Sequence, residues 1–344
     1  METKLIKINH NNIDKIKLKP AIDSLLNNNV VAFPTETVYG LGAVFSNEKA
    51  TKKIYQIKGR PSDNPLIVHI SSMEQLYDIA FTNTYSDILC EKFWPGPLTL
   101  ILKKKSSISD IVSAKLPTVA VRMPSNKIAL ELINQCGPLV APSANTSGRP
   151  STTQASHVFD DLNNLVDIII DGGISSLGIE STILDTTSEF PIILRPGNIT
   201  LEEIKKIIPK ALYNKDISKE NKAIAPGMKY KHYSPKADVV LVDGDIDFMI
   251  SKIKYLYSEK RMLNKKIGIM ATDETIKFYT LENVVSMGSR KNKTQIAANL
   301  FDLLRKFDKI EVDLILIESI ELKGLGYSIM NRITKSAGYN VIKE

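Results

Sequence analysis

The chain has 344 residues, of which 43% are hydrophobic and 24% charged, and its formal net charge is +7. This composition is typical of a globular protein with a sizeable core, and the length predicts one large domain or two ordinary ones. No run of 18 apolar residues is present, which excludes a membrane-spanning helix, and the two cysteines are too few and too far apart for a Cys-rich zinc module.

The sequence begins Met-Glu-Thr-Lys-Leu-Ile-Lys, without the apolar run and small-residue cleavage site of a signal peptide. We therefore expect a protein of the reducing cytoplasm, in which Cys90 and Cys136 stay thiols.

Residues 1–209 mix helices with many short strands. Apolar periodicity predicts helices at 20–29, 49–58, 74–80, 127–135 and 201–208. Short apolar runs predict strands at 30–33, 66–70, 98–103, 119–122, 139–141, 168–171, 181–184 and 192–194. The two kinds of element do not alternate regularly, so we predict an α/β or α+β domain with a sizeable twisted sheet.

Residues 210–236 lose regular pattern and are predicted to link two domains. Residues 237–344 then show strands at 239–242, 266–270, 283–287 and 314–317, each followed by a helical pattern. Four strand–helix units in succession predict a small parallel sheet covered by helices.

Arginine is scarce in this chain, with eight residues among 45 basic ones. We attribute the excess of lysine to an AT-rich genome rather than to a nucleic-acid partner. The positive charge nevertheless permits a weak RNA contact. An arginine retained against such a background has a geometric reason, since lysine lacks its planar, two-pronged donor. The first 260 residues hold four arginines, each beside Pro, Gly or a strand end, which favours a shared anionic ligand: Arg60, Arg122, Arg149 and Arg195.

The usual nucleotide and catalytic signatures are missing. There is no GxxxxGK[ST], no complete GxGxxG, no HExxH and no GxSxG, and the four histidines are scattered. A phosphate site must therefore be built from side chains and irregular loops.

Three stretches could build such a site. Residues 33–42 place hydroxyls, a carboxylate and glycines after a strand, which suits a small polar ligand but also an ordinary turn. Residues 58–65 hold Lys58 and Arg60 on either side of a glycine, so both can point at one anion. Residues 141–151 supply Ser143 and Asn145 as neutral hydrogen-bonding groups, although this composition is equally typical of a solvated loop without a ligand.

Together these stretches resemble the YrdC-like family, in its two-domain form. The matching residues run through the first predicted domain and the linker: Pro34–Thr37 with Tyr39–Gly42, Lys58–Pro61 with Pro65-Leu66, Trp94–Pro97 with Thr99, Arg122 with Pro124, Pro142–Asn145 with Ser147-Gly148, Glu180–Thr182, Arg195–Gly197, Pro226–Met228 and His232–Pro235. The resemblance implies a YrdC-like twisted open sheet domain at 1–209, a linker at 210–236 that closes over the active site, and a small Rossmann-like domain at 237–344.

The family's reaction joins L-threonine, bicarbonate and ATP into threonylcarbamoyl-adenylate, with release of pyrophosphate and water. A downstream threonylcarbamoyl transferase complex then modifies an adenosine beside the anticodon of certain tRNAs. The resemblance thus implies a nucleotidyltransferase that uses Mg²⁺ with ATP, with Mg²⁺ held mainly by the triphosphate because no carboxylate cage appears.

The resemblance also assigns residues to roles. The catalytic phosphate and carbamate cluster would be Lys58, Arg60, Ser143 and Asn145. The threonine and bicarbonate pocket would be Thr35, His69, Arg122, Ser143 and Ser181. ATP would contact Lys58, Arg60, Ser62, Thr118, Asn145, Ser151, Arg195 and Tyr233, the last from the linker.

Other interpretations stay open on the sequence alone. A tRNA- or ribosome-binding module would explain the basic charge. A carbamoyl transferase relative that uses carbamoyl phosphate would share the fold, but it normally carries Cys-rich zinc modules. A regulatory protein with a vestigial site is disfavoured because the Lys, Arg, Ser and Asn set is complete.

Overall fold

The computed structural model describes residues 2–214 and 232–344. It contains two compact units, Met1–Ser147 with Ser151–Tyr230, and Gly148–Pro150 with Lys231–Glu344. Each unit is built on its own β-sheet. The predicted linker, 210–236, falls mostly on residues outside the described ranges.

The first unit alternates short strands and helices irregularly. Its strands are β1 (Lys4–Lys7), β2 (Val31–Phe33), β3 (Gly40–Val44), β4 (Ile67–His69), β5 (Ala80–Phe81), β6 (Leu98–Lys104), β7 (Thr118–Arg122), β8 (Leu139–Val140), β9 (Ile168–Asp171), β10 (Thr182–Asp185), β11 (Ile192–Arg195) and β12 (Leu212–Tyr213). Its helices are α1 (Lys15–Leu26), α2 (Glu48–Lys58), α3 (Met73–Ile79), α4 (Thr84–Phe93), α5 (Asp110–Ser113), α6 (Lys127–Cys136), α7 (Ala155–Leu162) and α8 (Leu201–Lys205).

These strands form one mixed sheet in the order β1-β9-β2-β3-β8-β4-β7-β6-β10-β11-β12, with β5 beside β6. Neighbours β4 and β7 are parallel, whereas β6 and β7 are antiparallel. The large twisted sheet predicted from the sequence is confirmed. It includes β3, whose residues the sequence presented only as part of a loop.

Apolar clusters pack the helices against this sheet. One joins the sheet to α2, α3 and α4 through side chains such as Ile54, Leu76 and Leu89. Another packs α1 and α6 on β2 and β9, with Leu18 and Leu132 fully buried. Burial of a leucine side chain contributes about 1.5–3 kcal/mol, so these clusters fix the frame from which the loops project.

Helix α1 begins earlier than predicted. The sequence suggested a start at Pro20, a residue favoured in the first turn. The structure starts the helix at Lys15 because Asp14 caps it, accepting hydrogen bonds from the backbone N–H groups of Ile16 and Lys17. Helix α8 is also shorter than predicted and is opened by a capping box between Thr200 and Glu203.

The second unit carries a five-stranded, wholly parallel sheet in the order β15-β14-β16-β13-β17. Its elements are β13 (Asp238–Asp243), α9 (Ile246–Met262), β14 (Ile267–Ala271), β15 (Val284–Ser286), α10 (Lys293–Lys309), β16 (Leu314–Glu318), α11 (Leu325–Ser336) and β17 (Val341–Lys343). The predicted small parallel sheet with covering helices is confirmed. The short helix expected between β14 and β15 is only a 3₁₀ turn, Ile276–Phe278.

In the ranges 2–214 and 232–344, no helix is both long enough and apolar enough to cross a membrane.

Candidate active site

The segment between β2 and β3 forms a buried polar turn. The Thr35 hydroxyl accepts hydrogen bonds from the backbone N–H groups of Thr37 and Val38, each at 3.2 Å. The Thr35 carbonyl accepts from the Ser175 hydroxyl at 2.9 Å, and the Tyr39 N–H donates to the Thr152 carbonyl at 2.8 Å. Because both the turn and its flanks are bonded, the polar groups of residues 35–37 are held in place before any ligand arrives.

Arg122 ends β7 beside this turn and is only 4% exposed. Its guanidinium donates to Glu36 Oε1 at 2.6 Å, to the Thr37 hydroxyl at 2.8 Å and to the Gly96 carbonyl at 3.3 Å. Three of its five N–H groups are thereby used, so the plane of the guanidinium is fixed. Such a group can bind a carboxylate through its remaining donors.

His69 and Thr99 flank Arg122 on the adjacent strands. In the sheet register, His69 of β4 and Thr99 of β6 are both Cα partners of Arg122. Side chains in register on neighbouring strands project from the same face. The pairing therefore brings these three side chains to one face, as the predicted threonine pocket requires for His69 and Arg122.

Burial keeps His69 uncharged. Loss of solvation, followed by the nearby Arg122 charge, lowers the pKa of His69 from 6.5 to about 3, against a smaller opposing effect of the Ile67 carbonyl. His69 Nδ1 lies 3.2 Å from that carbonyl, and its ring meets Phe33 edge-on at 6.4 Å between centroids. At neutral pH this histidine is a neutral hydrogen-bonding group.

Lys58 joins the end of α2 to the loop after β8. Its Nζ donates to the carbonyl oxygens of Ser143 and Asn145, and its own carbonyl accepts from the Ser147 N–H at 2.9 Å. The lysine is 2% exposed. These contacts bring three members of the predicted catalytic cluster together and place a buried positive charge among them.

Arg60 follows directly after the helix. Gly59, at φ 61°, ends α2 in the left-handed conformation that glycine adopts readily. The Arg60 side chain donates to the carbonyls of Asn64 and Pro65, at 3.2 and 3.0 Å, and so braces its own loop. Ser62 lies in that loop and is exposed.

A third group of contacts surrounds Ser181. Its hydroxyl lies 2.7 Å from the Thr99 hydroxyl, and its carbonyl accepts from Arg195 Nε and Nη2 at 3.2 and 3.0 Å. Next to it, Glu180 accepts a hydrogen bond from the Ser151 hydroxyl. Ser151, Ser181 and Arg195 are therefore drawn to one segment, residues 180–182.

The contacts described so far do not test three of the predicted ATP residues, Ser62, Thr118 and Tyr233. Thr118 begins β7, four residues before Arg122, which puts it about 13 Å away along the strand. It borders a cavity of about 370 Å³ with Phe81, Lys103 and Thr187 among its lining residues. Tyr233 belongs to the second unit, where its ring stacks on Phe301 at 5.3 Å. The nucleotide roles of Thr118 and Tyr233 stay predictions.

Sequence reasoning assigned no role to three residues that the structure places in these contacts. Glu36 and Thr37 bind Arg122, and Thr99 binds Ser181. The motif containing Glu36 and Thr37 was recognised, but their partner was not, since it lies 85 residues further along the chain. The position of Thr99 beside Arg122 and Ser181 follows from the pairing of β6 with β7 and β10, which the sequence does not predict.

Within the described residues, no group of three or more His, Cys, Asp or Glu side chains could hold a metal ion. The charged groups are instead mostly cations: Lys58, Arg60, Arg122 and Arg195, with Glu36 and Glu180 among them. Such an arrangement suits phosphate and carboxylate oxygens.

Comparison with known proteins gives the class. Residues 23–197 match the Sua5_yciO_yrdC family model, described as telomere recombination, and residues 199–338 match the model of the threonylcarbamoyl-AMP synthase C-terminal domain. The chain belongs to the Sua5/YciO/YrdC family. Its match to both models over most of its length places it with the two-domain threonylcarbamoyl-AMP synthases of that family.

Individual relatives agree with this placement. The threonylcarbamoyl-AMP synthase of Pyrococcus abyssi is 44% identical over 338 residues, covering 96% of this chain and 97% of the relative. That of Bacillus subtilis is 46% identical, covering 93% and 92%. The crystal structure of Pyrococcus abyssi Sua5 complexed with L-threonine superposes with a TM-score of 0.94 at 42% identity, over 99% of this chain and 100% of that one.

Proposed function

We propose that this chain converts L-threonine, bicarbonate and ATP into threonylcarbamoyl-adenylate, pyrophosphate and water. The observation that carries the proposal is the anchoring of buried Lys58 to Ser143 and Asn145, in a chain whose full-length relatives are threonylcarbamoyl-AMP synthases. A lysine ammonium held at a fixed position is a suitable donor to the phosphate oxygens of ATP.

The threonine end of the site is formed by Thr35, His69, Arg122 and Ser181. Arg122 binds the threonine carboxylate, for which its fixed guanidinium is suited. His69, being neutral, donates or accepts a hydrogen bond without competing for that carboxylate. The L-threonine complex of the Pyrococcus abyssi relative supports threonine as a ligand of this fold.

The phosphate end is formed by Lys58, Arg60, Ser143 and Asn145, which also hold the carbamate. The nucleotide contacts extend to Ser62, Thr118, Ser151, Arg195 and Tyr233. Attack of the carbamate oxygen on the α-phosphorus gathers negative charge, so fixed positive groups lower its barrier. The protein's part is positioning and electrostatic stabilisation.

Mg²⁺ enters with ATP. The described residues offer it no carboxylate cage, so the triphosphate oxygens supply most of its ligands. When bound, it neutralises charge on the leaving pyrophosphate. Lys58 and Arg60 share that task from the protein.

The product is a mixed anhydride that water hydrolyses, so its consumer must be a group-transfer enzyme. This chemistry fits a downstream threonylcarbamoyl transferase complex acting on tRNA. A net charge of +7 permits a weak direct tRNA contact. A cytoplasmic location agrees with ATP as a substrate and with the buried free thiols of Cys90 and Cys136.

A component-omission assay tests the proposal. Pyrophosphate release is measured with the full mixture and with threonine, bicarbonate or ATP left out in turn. We expect release only when all three are present. Release from ATP alone, or from ATP and threonine in bicarbonate-free buffer at the full rate, would refute the proposed reaction.

A further inference from the structure

Glu36 is a buried carboxylate in the turn between β2 and β3. It is 8% exposed, and its Oε1 accepts from Arg122 Nη2 at 2.6 Å. Its backbone carbonyl accepts from the Leu177 N–H at 2.9 Å. The side chain is therefore tied to the sheet at one oxygen and its backbone to a neighbouring loop.

Among the residues that the structure describes, the second carboxylate oxygen, Oε2, finds no hydrogen-bond partner although it is buried. A buried carboxylate oxygen that accepts no hydrogen bond is destabilising, even when the other oxygen is paired. The turn that holds Glu36 is rigid, because the Thr35 hydroxyl and the Ser175 side chain bond its backbone. The unpartnered oxygen is thus a fixed feature, and a cationic or donating ligand group would satisfy it.

The neighbouring Arg122 narrows the choice of ligand. An α-amino acid carries an ammonium and a carboxylate on one carbon atom, and Glu36 and Arg122 offer the two opposite charges side by side. The match is to the zwitterion as a whole: carboxylate on Arg122, ammonium on Glu36 Oε2. A simple carboxylic acid or a phosphate would leave the Glu36 oxygen unsatisfied.

We propose that Glu36 binds the α-ammonium group of threonine and is the catalytic base that removes its proton before carbamate formation. This inference rests on the proposed function. An ammonium nitrogen has no lone pair, so it cannot attack bicarbonate until one N–H bond has broken. The electron pair of that bond stays on nitrogen, and the proton goes to Glu36 Oε2.

The remaining atoms balance without another reagent. The neutral amine forms a bond to the carbon of bicarbonate, and the products are the threonine carbamate and one water molecule. The Glu36 proton then passes to solvent, which returns the carboxylate to its anionic form. ATP is used only afterwards, when the carbamate oxygen attacks the α-phosphorus.

The other groups facing Glu36 are unsuited to this task. From β7, Arg122 is a permanent cation. From β4, His69 cannot hold a proton at neutral pH, because burial lowers its pKa to about 3. The turn itself and the facing Ser175–Leu177 segment add only hydroxyls and backbone groups. Of these groups, Glu36 is therefore the one that can accept the ammonium proton.

The variant Glu36→Gln tests the proposal, because the amide keeps an oxygen for Arg122 and removes the base. Pyrophosphate release at saturating threonine is compared with wild type from pH 7 to pH 9.5. We expect a loss of at least about 100-fold at pH 7. The loss should shrink by about tenfold per pH unit as threonine deprotonates in solution. Exposed Glu189→Gln is the matched control and should behave as wild type.

A deficit that is the same at every pH would overturn the base role, as would an undiminished rate in Glu36→Gln. If wild type itself shows no threonine- and bicarbonate-dependent release, the proposed function fails instead. If Glu36→Gln does not fold, binding of the ammonium group is tested in the wild-type protein by competition with threonine. There, 2,3-dihydroxybutyrate, which has a hydroxyl in place of the ammonium, should compete at least about 100-fold more weakly than threonine. Equal competition would overturn the inference.

Discussion

Lys58 illustrates how one side chain can organise a site and carry its charge. It is bonded to the carbonyls of Ser143 and Asn145, so the loop after β8 takes its position from the end of α2. An approaching phosphate therefore meets a cation that is fixed in place before binding.

We predict that Lys58→Ala lowers pyrophosphate release at least about 100-fold, because both the charge and the loop anchor are lost. Circular dichroism should show a folded chain. The control is Lys52→Ala, an exposed lysine on the same helix. A near-normal rate in Lys58→Ala would move the phosphate site elsewhere.

His69 gives a prediction for stability. Its pKa is 6.5 when unfolded and about 3 when folded, so below pH 6.5 the unfolded chain binds a proton that the folded chain refuses. Stability is therefore lost as pH falls from 6.5 towards 3, by about 2 kcal/mol at pH 5.

The variant His69→Gln removes this contribution, so its unfolding free energy should fall less between pH 7 and pH 5 than that of wild type. Urea unfolding at the two pH values measures the difference. Exposed His10→Gln is the control. An identical pH dependence in wild type and His69→Gln would show that the folded protein does accept the proton on His69.

At the scale of elements, the close approach of two segments positions Ser181. A Cβ on Gly197 would lie 2.3 Å from the Thr182 nitrogen and 2.5 Å from the Ser181 carbonyl carbon. Both are backbone atoms, which cannot move aside as a side-chain tip can. The turn after β11 and the start of β10 therefore touch through a position that only glycine fits.

We predict that Gly197→Ala separates these segments, costs about 1–3 kcal/mol of unfolding free energy and also reduces pyrophosphate release. Gly338→Ala is a useful comparison. Gly338 has φ 57° with open space around it, so alanine there should cost about 1 kcal/mol and leave the rate unchanged. Equal rates of pyrophosphate release in both variants would show that the position of Ser181 does not affect the reaction.

Elements also show where the sequence was and was not informative. The short apolar runs of β6 and β7 predict their strands, because both strands are buried over most of their length. Gly40–Val44 did not look like a strand, because glycines disfavour strands and its stability comes from pairing with β2 and β8. Likewise, Lys58 and Arg60 could be chosen from local pattern, but the Glu36–Arg122 pair depends on contacts across 86 residues.

At the scale of the whole molecule, the loop that carries Ser143, Asn145 and Ser151 has its tip in the second unit. Gly148–Pro150 belong to that unit. The Gly148 carbonyl accepts from the Ser234 N–H at 2.8 Å, Arg149 pairs with Asp308 at 2.5 Å, and Arg305 donates to the Pro150 carbonyl at 2.5 Å. These contacts hold Gly148–Pro150 within the second unit.

A chain ending at residue 209 lacks Tyr233, which is predicted to contact ATP, and also lacks β12 of the first sheet. It should release pyrophosphate at least about tenfold more slowly than the full chain, because a lost positioning contact can cost about 100-fold. Full activity of the truncated chain would contradict the predicted role of Tyr233.

The central claim is that bicarbonate carbon, threonine and AMP are joined in one product. The direct measurement supplies labelled bicarbonate with threonine and ATP and analyses the adenylate by mass spectrometry. Our account predicts a species that carries the label, threonine and AMP in equal amounts, and its absence with Lys58→Ala. An adenylate of threonine without the label, or a labelled product without AMP, would contradict it.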